Sequence, residues 1–500
     1  MLHSSAPLQW SFSQILGHRS PSDHHEQDDI ITAIEFDKRG DYVAIGDQGG
    51  RVVIFERDDQ KNVDHQYSRK LLEQVDCTPS RNPKFQFKLQ FQSHQPEIDY
   101  LANEKITPRI KKVKWCITQN GLLFMLSAND KIIKLWKIKE CKTGKTEELV
   151  PSRFLSSENL SERSFLSGQD TLSSADGCRL EWMENMSCKD SLSQNINAKI
   201  VGVDNNLHAK CRKVYAPAHS FNINSISNNS DGEIFISADD FKINLWNLEV
   251  SDQCFNIINM KPSNMEHFAE IITSAEFHPS HCNLLAYGSS SGFIRLSDLR
   301  QSARCDHSVR MFVDGSLFCR KSVFEEMTTC ISDVKFLDDG LGGQQLISRD
   351  YMNMKLWDMR MDYHPVALFR IHEHLRPRLP ELFSNKLIFD RFDCCFSGDR
   401  LHFATGSYGN LLRIFSPANG TVKDIKLDTI GIIDRKPFQA DGMIRRSSIS
   451  NLTCEFGQNG GGRDGHLDCN LSSKLLHVAG HPTSNLVACA AQRCLILYHA

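Results

Sequence analysis

The chain has no long hydrophobic run, no cysteine pair of the metal-binding kind and no large excess of charge of either sign. Its apolar stretches, such as residues 122–126, are far shorter than the ~20 residues that a membrane-spanning helix needs. The N-terminus lacks a basic segment followed by an apolar one, so we expect no secretory signal and no membrane insertion. Lys and Arg total 58 and Asp and Glu total 61, giving a net charge of −3. This balance argues against the broad basic surface of a nucleic acid-binding protein.

Cysteine use is also informative by what is missing. The 17 cysteines are spread along the chain without any CxxC spacing, so the usual zinc-binding knuckles are excluded. The number is odd, and Cys394 and Cys395 are adjacent, which favours reduced, mostly buried thiols over a disulfide framework. We therefore expect a cytoplasmic or nuclear protein.

Motifs for catalysis are present only in unsuitable surroundings. Residues 288–292 spell GxSxG, but a strand-like run follows them where a nucleophile elbow needs a helix. Residues 460–465 spell GxGxxG within a glycine-rich loop that lacks the strand–helix context of a dinucleotide site. We expect no catalytic residues, no metal and no cofactor.

What the sequence does contain is a repeat. A turn followed by an alternating apolar run ending in an anchor residue, usually aromatic, recurs seven times. In every copy the residues one and three before the anchor are apolar, which indicates a strand with one buried face. The anchors are Phe55, Trp136, Trp246, Ser297, Trp357, Phe415 and Tyr498.

Each copy is preceded by two further strand-like runs separated by turns, the arrangement of a β-propeller blade. Trp357-Asp358 and the partial matches at Trp136 and Trp246 resemble the WD-repeat family. We predict an all-β fold, a seven-bladed β-propeller of WD-repeat type forming a single domain over residues 1–500. The predicted blades are residues 28–57, 84–138, 211–248, 254–300, 328–360, 365–416 and 474–500.

The ends and the gaps of the repeat lead to further predictions. The last anchor lies two residues from the C-terminus, so the alternating residues 8–16 are expected to supply the outer strand that closes the ring. Residues 139–210 and 421–473 are too long for blades and are predicted to be surface insertions, partly disordered. The second insertion contains Arg445-Arg446-Ser447-Ser448, which fits a basophilic kinase motif. An extended β-hairpin, residues 84–101, is expected to project from blade two.

Longer motifs carry a more specific resemblance. DIITAIEF, FQSHQPEIDYL, AHSFNINSISNNSD, SADDFKINLWNLE, SRDYMNMKLWD and FDRFDCCF occur in this order. Together they closely resemble the B-type regulatory subunit of protein phosphatase 2A, the 55 kDa class. The resemblance implies a non-catalytic regulatory subunit of a serine/threonine phosphatase heterotrimer. Its implied partners are the HEAT-repeat scaffold of the heterotrimer, its metallophosphatase catalytic subunit, and phosphoprotein substrates.

The resemblance also implies two sets of site residues. The scaffold would be bound by the long hairpin of blade two through Phe91, Ile98, Tyr100 and Leu101. Substrates would be bound on one face of the propeller through Asp240, Phe221, Phe268, Ile271, Phe383 and Arg391.

Two other functions stay open on the sequence alone. One is a generic WD-repeat adaptor, such as the substrate receptor of a ubiquitin ligase, which would ignore a phosphatase scaffold. The other is a propeller enzyme, which should bring carboxylates or histidines together at the loop ends, and no such set can be assembled from the sequence.

Overall fold

The strands form in the segments where apolar residues alternate. The computed structural model describes residues 8–17, 28–58, 84–99, 104–116, 122–140, 207–262, 264, 270–301, 310–315, 323–337, 344–385, 389–416, 421–426, 471 and 473–500. Within these ranges the chain forms seven four-stranded antiparallel sheets and one separate two-stranded hairpin. The prediction of an all-β, seven-bladed propeller is confirmed.

The N-terminal half contains the closing strand, three sheets and the hairpin. The strands are β1 (Ser11–Leu16); β2 (Ile31–Phe36), β3 (Tyr42–Asp47), β4 (Arg51–Asp58) and β5 (Lys84–Gln92) in the first sheet; β6 (Glu97–Asp99) and β7 (Glu104–Ile106) in the hairpin; β8 (Lys112–Cys116), β9 (Leu123–Ala128), β10 (Ile133–Glu140) and β11 (Leu207–Val214) in the second sheet; and β12 (Ser225–Asn228), β13 (Ile234–Ala238), β14 (Lys242–Asn247) and β15 (Cys254–Asn259) in the third.

Four more sheets follow. They contain β16 (Ile272–Phe277), β17 (Leu284–Ser289), β18 (Ile294–Asp298) and β19 (Arg310–Phe312); β20 (Asp333–Phe336), β21 (Gln345–Arg349), β22 (Asn353–Asp358) and β23 (Ala367–Arg370); β24 (Cys394–Phe396), β25 (Phe403–Ser407), β26 (Leu411–Ser416) and β27 (Thr421–Lys426); and β28 (Val478–Gly480), β29 (Leu486–Ala491) and β30 (Cys494–His499), which pair with β1.

The helices are short and lie in loops. They are α1 (Val323–Thr328), a 3₁₀ helix (Glu373–Arg378) and α2 (Leu379–Ser384). Among the described residues, no helix has the length and apolar character needed to cross a bilayer.

The innermost strands, which we call the first strands of their sheets, are β2, β8, β12, β16, β20, β24 and β28. They contact one another in this order around a closed ring. The core lies between adjacent sheets: for example, the Phe91 ring of the first sheet packs 4.6 Å from the Trp136 ring of the second, centre to centre. The ring closes where β1 pairs antiparallel with β30 and Trp10 enters the apolar cluster of the sixth and seventh sheets. β1 is thus the fourth, outer strand of the seventh sheet, and it covers β30.

Tryptophan anchors are held by the same polar contact in three sheets. The indole N–H of Trp136, Trp246 and Trp357 donates to a serine hydroxyl on the neighbouring second strand, at 3.1, 2.8 and 2.9 Å respectively. All three indoles are buried, so each hydrogen bond satisfies a donor that has no access to water.

The predicted blade limits need correction at the outer strands. Lys84–Gln92 pairs with β4 of the first sheet rather than opening the second, because Phe85, Leu89 and Phe91 fill the core beside β4. The windows 254–300 and 365–416 begin with β15 and β23, which are the outer strands of the preceding sheets. β23 has only four residues, none of them buried, so its alternating signal is weak.

The two predicted insertions are also narrower than expected. The window 139–210 contains the end of β10 and the start of β11, and the window 421–473 begins with β27. The remainder of both windows lies almost entirely outside the described residues, as does the motif at residues 445–448.

One buried position differs among the sheets. The last or next-to-last residue of the second strand is small in six sheets: Gly46, Ala128, Ala238, Gly288, Gly406 and Ala490. In the fifth sheet it is Arg349, whose guanidinium lies over the Phe392 ring at 5.5 Å and donates to the carbonyl oxygen of Asn353 at 3.1 Å. This side chain is fully buried, and burial lowers its pKa to about 10.

Candidate protein-interaction site on the top face

Two kinds of loop meet at one end of the ring, which we call the top face. Because the strands of each sheet alternate in direction, the turn between its second and third strands lies at the same end as the connection entering its first strand. Asp240 occupies such a turn. The connections that enter first strands contain the hairpin β6–β7. They also contain four of the other predicted substrate-binding residues, Phe221, Ile271, Phe383 and Arg391.

The turn that contains Asp239 and Asp240 is held in place by buried polar groups. Asp239 Oδ1 accepts the backbone N–H groups of Phe241 and Lys242 at 2.8 and 2.7 Å, and Oδ2 accepts from His219 Nδ1 at 2.9 Å. Burial acts to raise the pKa of Asp239, but the hydrogen bonds from His219 and the two amides outweigh it and hold the pKa below its usual value. Asp239 therefore caps the turn, which leaves Asp240 as the outward-facing carboxylate.

Asp240 is linked to Arg391 through an asparagine. Asn224 Nδ2 donates to Asp240 Oδ1 at 2.8 Å, and Arg391 Nη1 donates to Asn224 Oδ1 at 3.2 Å. Asn224 and Asp240 belong to the third sheet, whereas Arg391 precedes the first strand of the sixth. The three side chains thus form a polar bridge across the mouth of the central channel, and Asn224 was not among the predicted residues.

Apolar groups flank this bridge. The half-buried Phe221 ring packs edge-on against Phe241, 4.8 Å between centres. Ile271 is half-buried and its backbone exchanges hydrogen bonds with Ser290, at 3.0 and 2.9 Å. Phe268 lies outside the described residues.

Phe383 is presented by the short helix α2. Leu375, Leu379 and Leu382 of this helical segment are buried against the fifth and sixth sheets, which fixes the segment on the top face. Phe383 itself is 43% exposed and contacts Phe389 at a ring distance of 5.6 Å. The segment therefore presents an apolar group in a fixed position.

The predicted scaffold-binding residues separate into two groups. Phe91 is only 1% exposed and packs on Trp136, so it is a core residue and cannot contact a scaffold in the folded state. Ile98 is 56% exposed on β6, as an interface residue would be. Tyr100 and Leu101 lie outside the described residues.

The predicted arm also needs correction. Residues 84–92 are the outer strand of the first sheet, and the hairpin β6–β7 that follows has three residues in each strand. The long hairpin that belongs to the second sheet is β10–β11, with eight residues in each strand.

Charge pairs line the channel behind the top face. Lys114 contacts Glu35 of the neighbouring sheet at 2.7 Å, and Lys112 contacts Asp393 on the far side of the channel at 3.5 Å. Asp393 raises the pKa of Lys112 despite burial. Burial acts to raise the pKa of Asp393, but Lys112 and His477 lower it below its usual value. The first pair joins adjacent sheets, and the second joins sheets on opposite sides of a cavity of about 320 Å³.

The arrangement is suited to binding rather than to bond cleavage. The charged groups at the turns and in the channel are engaged in caps and ion pairs, and within the described ranges no three His, Cys, Asp or Glu side chains are grouped to hold a metal ion. The top face offers a carboxylate, a guanidinium and several apolar groups on a rigid frame, which suits recognition of another protein.

Comparison with known proteins identifies the family. Residues 209–247 match the model "WD domain, G-beta repeat". The beta isoform of the B-type 55 kDa regulatory subunit of serine/threonine protein phosphatase 2A from Arabidopsis thaliana is 47% identical over 99% of this chain and 97% of its own length. The B-type regulatory subunit of protein phosphatase 2A from Schizosaccharomyces pombe is 38% identical over 98% of this chain and 97% of its own length.

The chain belongs to the family of B-type 55 kDa regulatory subunits of protein phosphatase 2A. It is a non-catalytic regulatory subunit of that phosphatase, as the sequence resemblance implied. A regulatory subunit of protein phosphatase 2A from Dictyostelium discoideum is 37% identical over 99% of both chains. Among solved structures, Raptor of Chaetomium thermophilum is similar over 98% of this chain and 29% of that chain, with 11% identity and a TM-score of 0.49.

The third blade of this B-type regulatory protein shows why the WD model matches there. Trp246 donates to Ser237 Oγ, the Ser237 hydroxyl contacts His219 Nε2 at 2.6 Å, and His219 Nδ1 contacts Asp239. Residues 209–247 contain all four members of this network. His219 follows Ala218, and its place upstream of Ser237 and of the turn aspartate Asp239 is the signal for this network in the sequence.

Proposed function

We propose that this regulatory protein joins the HEAT-repeat scaffold and the catalytic subunit of protein phosphatase 2A, and that it recruits phosphoprotein substrates through its top face. The polar bridge of Asp240, Asn224 and Arg391 supports this proposal because it fixes a half-buried carboxylate at the channel mouth. A carboxylate beside exposed apolar groups attracts basic or amphipathic segments and raises the rate of encounter. The protein would act by raising the local concentration of substrates near an active site on another chain.

Charge reversal at Asp240 tests the recruitment. We expect D240K to slow dephosphorylation of a basic phosphopeptide by the assembled heterotrimer, while D240N has a smaller effect because it keeps the contact with Asn224. The matched control is D252K, which makes the same change in an exposed loop of the same sheet at the opposite end of the ring. Equal rates for D240K and D252K, with the heterotrimer intact, would reject the role of Asp240.

The scaffold contact is tested on the separate hairpin β6–β7 and on the hairpin β10–β11 of the second sheet. Ile98 is exposed on β6, and Tyr100 and Leu101 follow it in sequence. We expect I98D, and charged residues at positions 100 and 101, to reduce co-purification of the scaffold without unfolding the propeller. L401D places the same charge on another exposed apolar side chain, in the sixth sheet, and should leave assembly unchanged. If only changes in β10–β11 reduce assembly, the scaffold contact lies on that hairpin instead.

We also propose that the protein acts in the cytoplasm and the nucleus, which the free cysteines among the described residues favour. Imaging of a fluorescent fusion of the full chain tests this location; a fusion confined to the secretory pathway would contradict it.

A further inference from the structure

Two copies of an Asp-x-Arg motif end the third strands of the fourth and fifth sheets, at the end of the ring opposite the top face. In each, the backbone N–H of the arginine donates to the aspartate, at 3.0 Å for Arg300 and 2.9 Å for Arg360. Each guanidinium then uses Nε and Nη2 to grip the same carboxylate, Asp298 or Asp358. The arginine side chains are 74% and 71% exposed. The fork therefore holds both guanidiniums in place while Nη1 stays available as a donor.

A pocket of about 450 Å³ lies between the two motifs. Arg300, Arg310 and Arg360 line it, together with His281, and Leu296 and Met359 supply apolar wall. Arg310 extends from β19 and donates through Nη1 to the carbonyl oxygen of Met359, which joins the two sheets. Because each motif arginine already grips its own aspartate through Nε and Nη2, its Nη1 group is the donor that remains for a carboxylate of a ligand. The pocket has the volume that a few side chains of a ligand would fill.

An apolar strip continues directly from Arg360. Met361, Tyr363, Val366 and Leu368 are 57%, 74%, 54% and 44% exposed. The strip is attached to the fourth sheet by the hydrogen bond from Val313 N–H to the carbonyl oxygen of Asp362, 3.0 Å long. Four large apolar side chains exposed within eight residues form a patch of the kind that marks protein interfaces, where Met, Tyr and Arg are enriched.

We propose that the arginine pocket and the apolar strip form a docking site for a protein partner that presents an acidic segment with interspersed apolar side chains. Charge complementarity decides the class of partner: three arginines and no Asp or Glu are among the residues that line the pocket, and the neighbouring strip gives apolar anchors. The site lies at the end of the ring opposite the polar bridge, so it does not depend on the substrate recruitment proposed above.

A peptide-display library tests this proposal on the full chain. Random short peptides are selected for binding, with counter-selection against the R300E/R360E variant, and one enriched peptide is then synthesised and titrated by fluorescence polarisation. We expect enrichment of Asp and Glu alternating with Leu, Phe or Tyr. Affinity should fall about tenfold or more in R300E, in R360E and in Y363A. K261E reverses an exposed charge on the top face and should leave the affinity unchanged.

A further variant distinguishes the effect of a rigidly held guanidinium from the effect of positive charge alone. R300K/R360K keeps both charges but loses the bidentate contact, so we expect an intermediate loss of affinity at an unchanged urea midpoint. Enriched peptides without acidic residues, or binding insensitive to R300E, R360E and Y363A, would overturn the proposal. So would sedimentation showing that the strip joins two copies of this chain in a dimer that L368D dissociates.

Discussion

Loss of His219 from the buried network of the third blade should lower the free energy of unfolding by an amount that can be worked out from its hydrogen bonds. Trp246 N–H donates to Ser237 Oγ, so the single Ser237 proton is free to be donated to His219 Nε2, and His219 Nδ1–H donates to Asp239 Oδ2. Replacing His219 by Phe fills similar space but removes both hydrogen bonds of the imidazole. Asp239 is fully buried, so its Oδ2 would be left without a partner and without water.

The magnitude follows from these two losses. A hydrogen bond to a charged group contributes about 1.5–3 kcal/mol and a neutral one about 1 kcal/mol. We therefore expect H219F to lower the free energy of unfolding by about 2.5–4 kcal/mol. D239N keeps the Oδ1 cap of the turn and should cost less.

A double-mutant cycle separates the pair from its surroundings. Unfolding in urea, followed by tryptophan fluorescence, gives the free energies of the wild type, H219F, D239N and H219F/D239N. Because the neutral amide of D239N no longer needs the histidine, the double variant should recover part of the loss, with a coupling energy of about 1–3 kcal/mol. Coupling below about 0.5 kcal/mol would show that the two residues act independently and refute the reasoning.

Three further outcomes are expected. Burial lowers the pKa of His94 to about 3, whereas the unfolded chain binds the proton near pH 6.5. The contribution of neutral His94 to the free energy of unfolding is therefore complete above pH 6.5 and is lost toward pH 3, by about 1.4 kcal/mol per pH unit. H94Q should remove this pH dependence from urea unfolding measured between pH 7 and 5. R349M should leave the free energy of unfolding unchanged or raise it, because no carboxylate forms an ion pair with Arg349 among the described residues. R349A should lower it by about 2–4 kcal/mol, because it leaves a cavity beside Phe392. Equal losses in the two variants would contradict this account. F91A should cost about 3–5 kcal/mol and I98A close to nothing, measured by the same unfolding assay, since only the first side chain is buried.

The sequence was sufficient for everything that depends on local alternation. Third strands such as Ile133–Glu140 bury alternate side chains. The sevenfold recurrence of this pattern predicted the number of sheets. The same alternation at residues 8–16 predicted the strand that closes the ring. Outer strands such as Ala367–Arg370 are short and half exposed, so their period is weak and the blade limits were misplaced there.

Long-range pairing was decided only by the folded ring. Phe91 and Ile98 both read as apolar residues of one hairpin, yet pairing with β4 buries the first in the core and leaves the second exposed. Arg391 and Asn224 are 167 residues apart, and no local pattern relates them until the third and sixth sheets face each other across the channel. A local period determines which face of a strand is apolar. Closure of the ring determines which loops meet at one end, because that depends on the positions of all seven sheets at once.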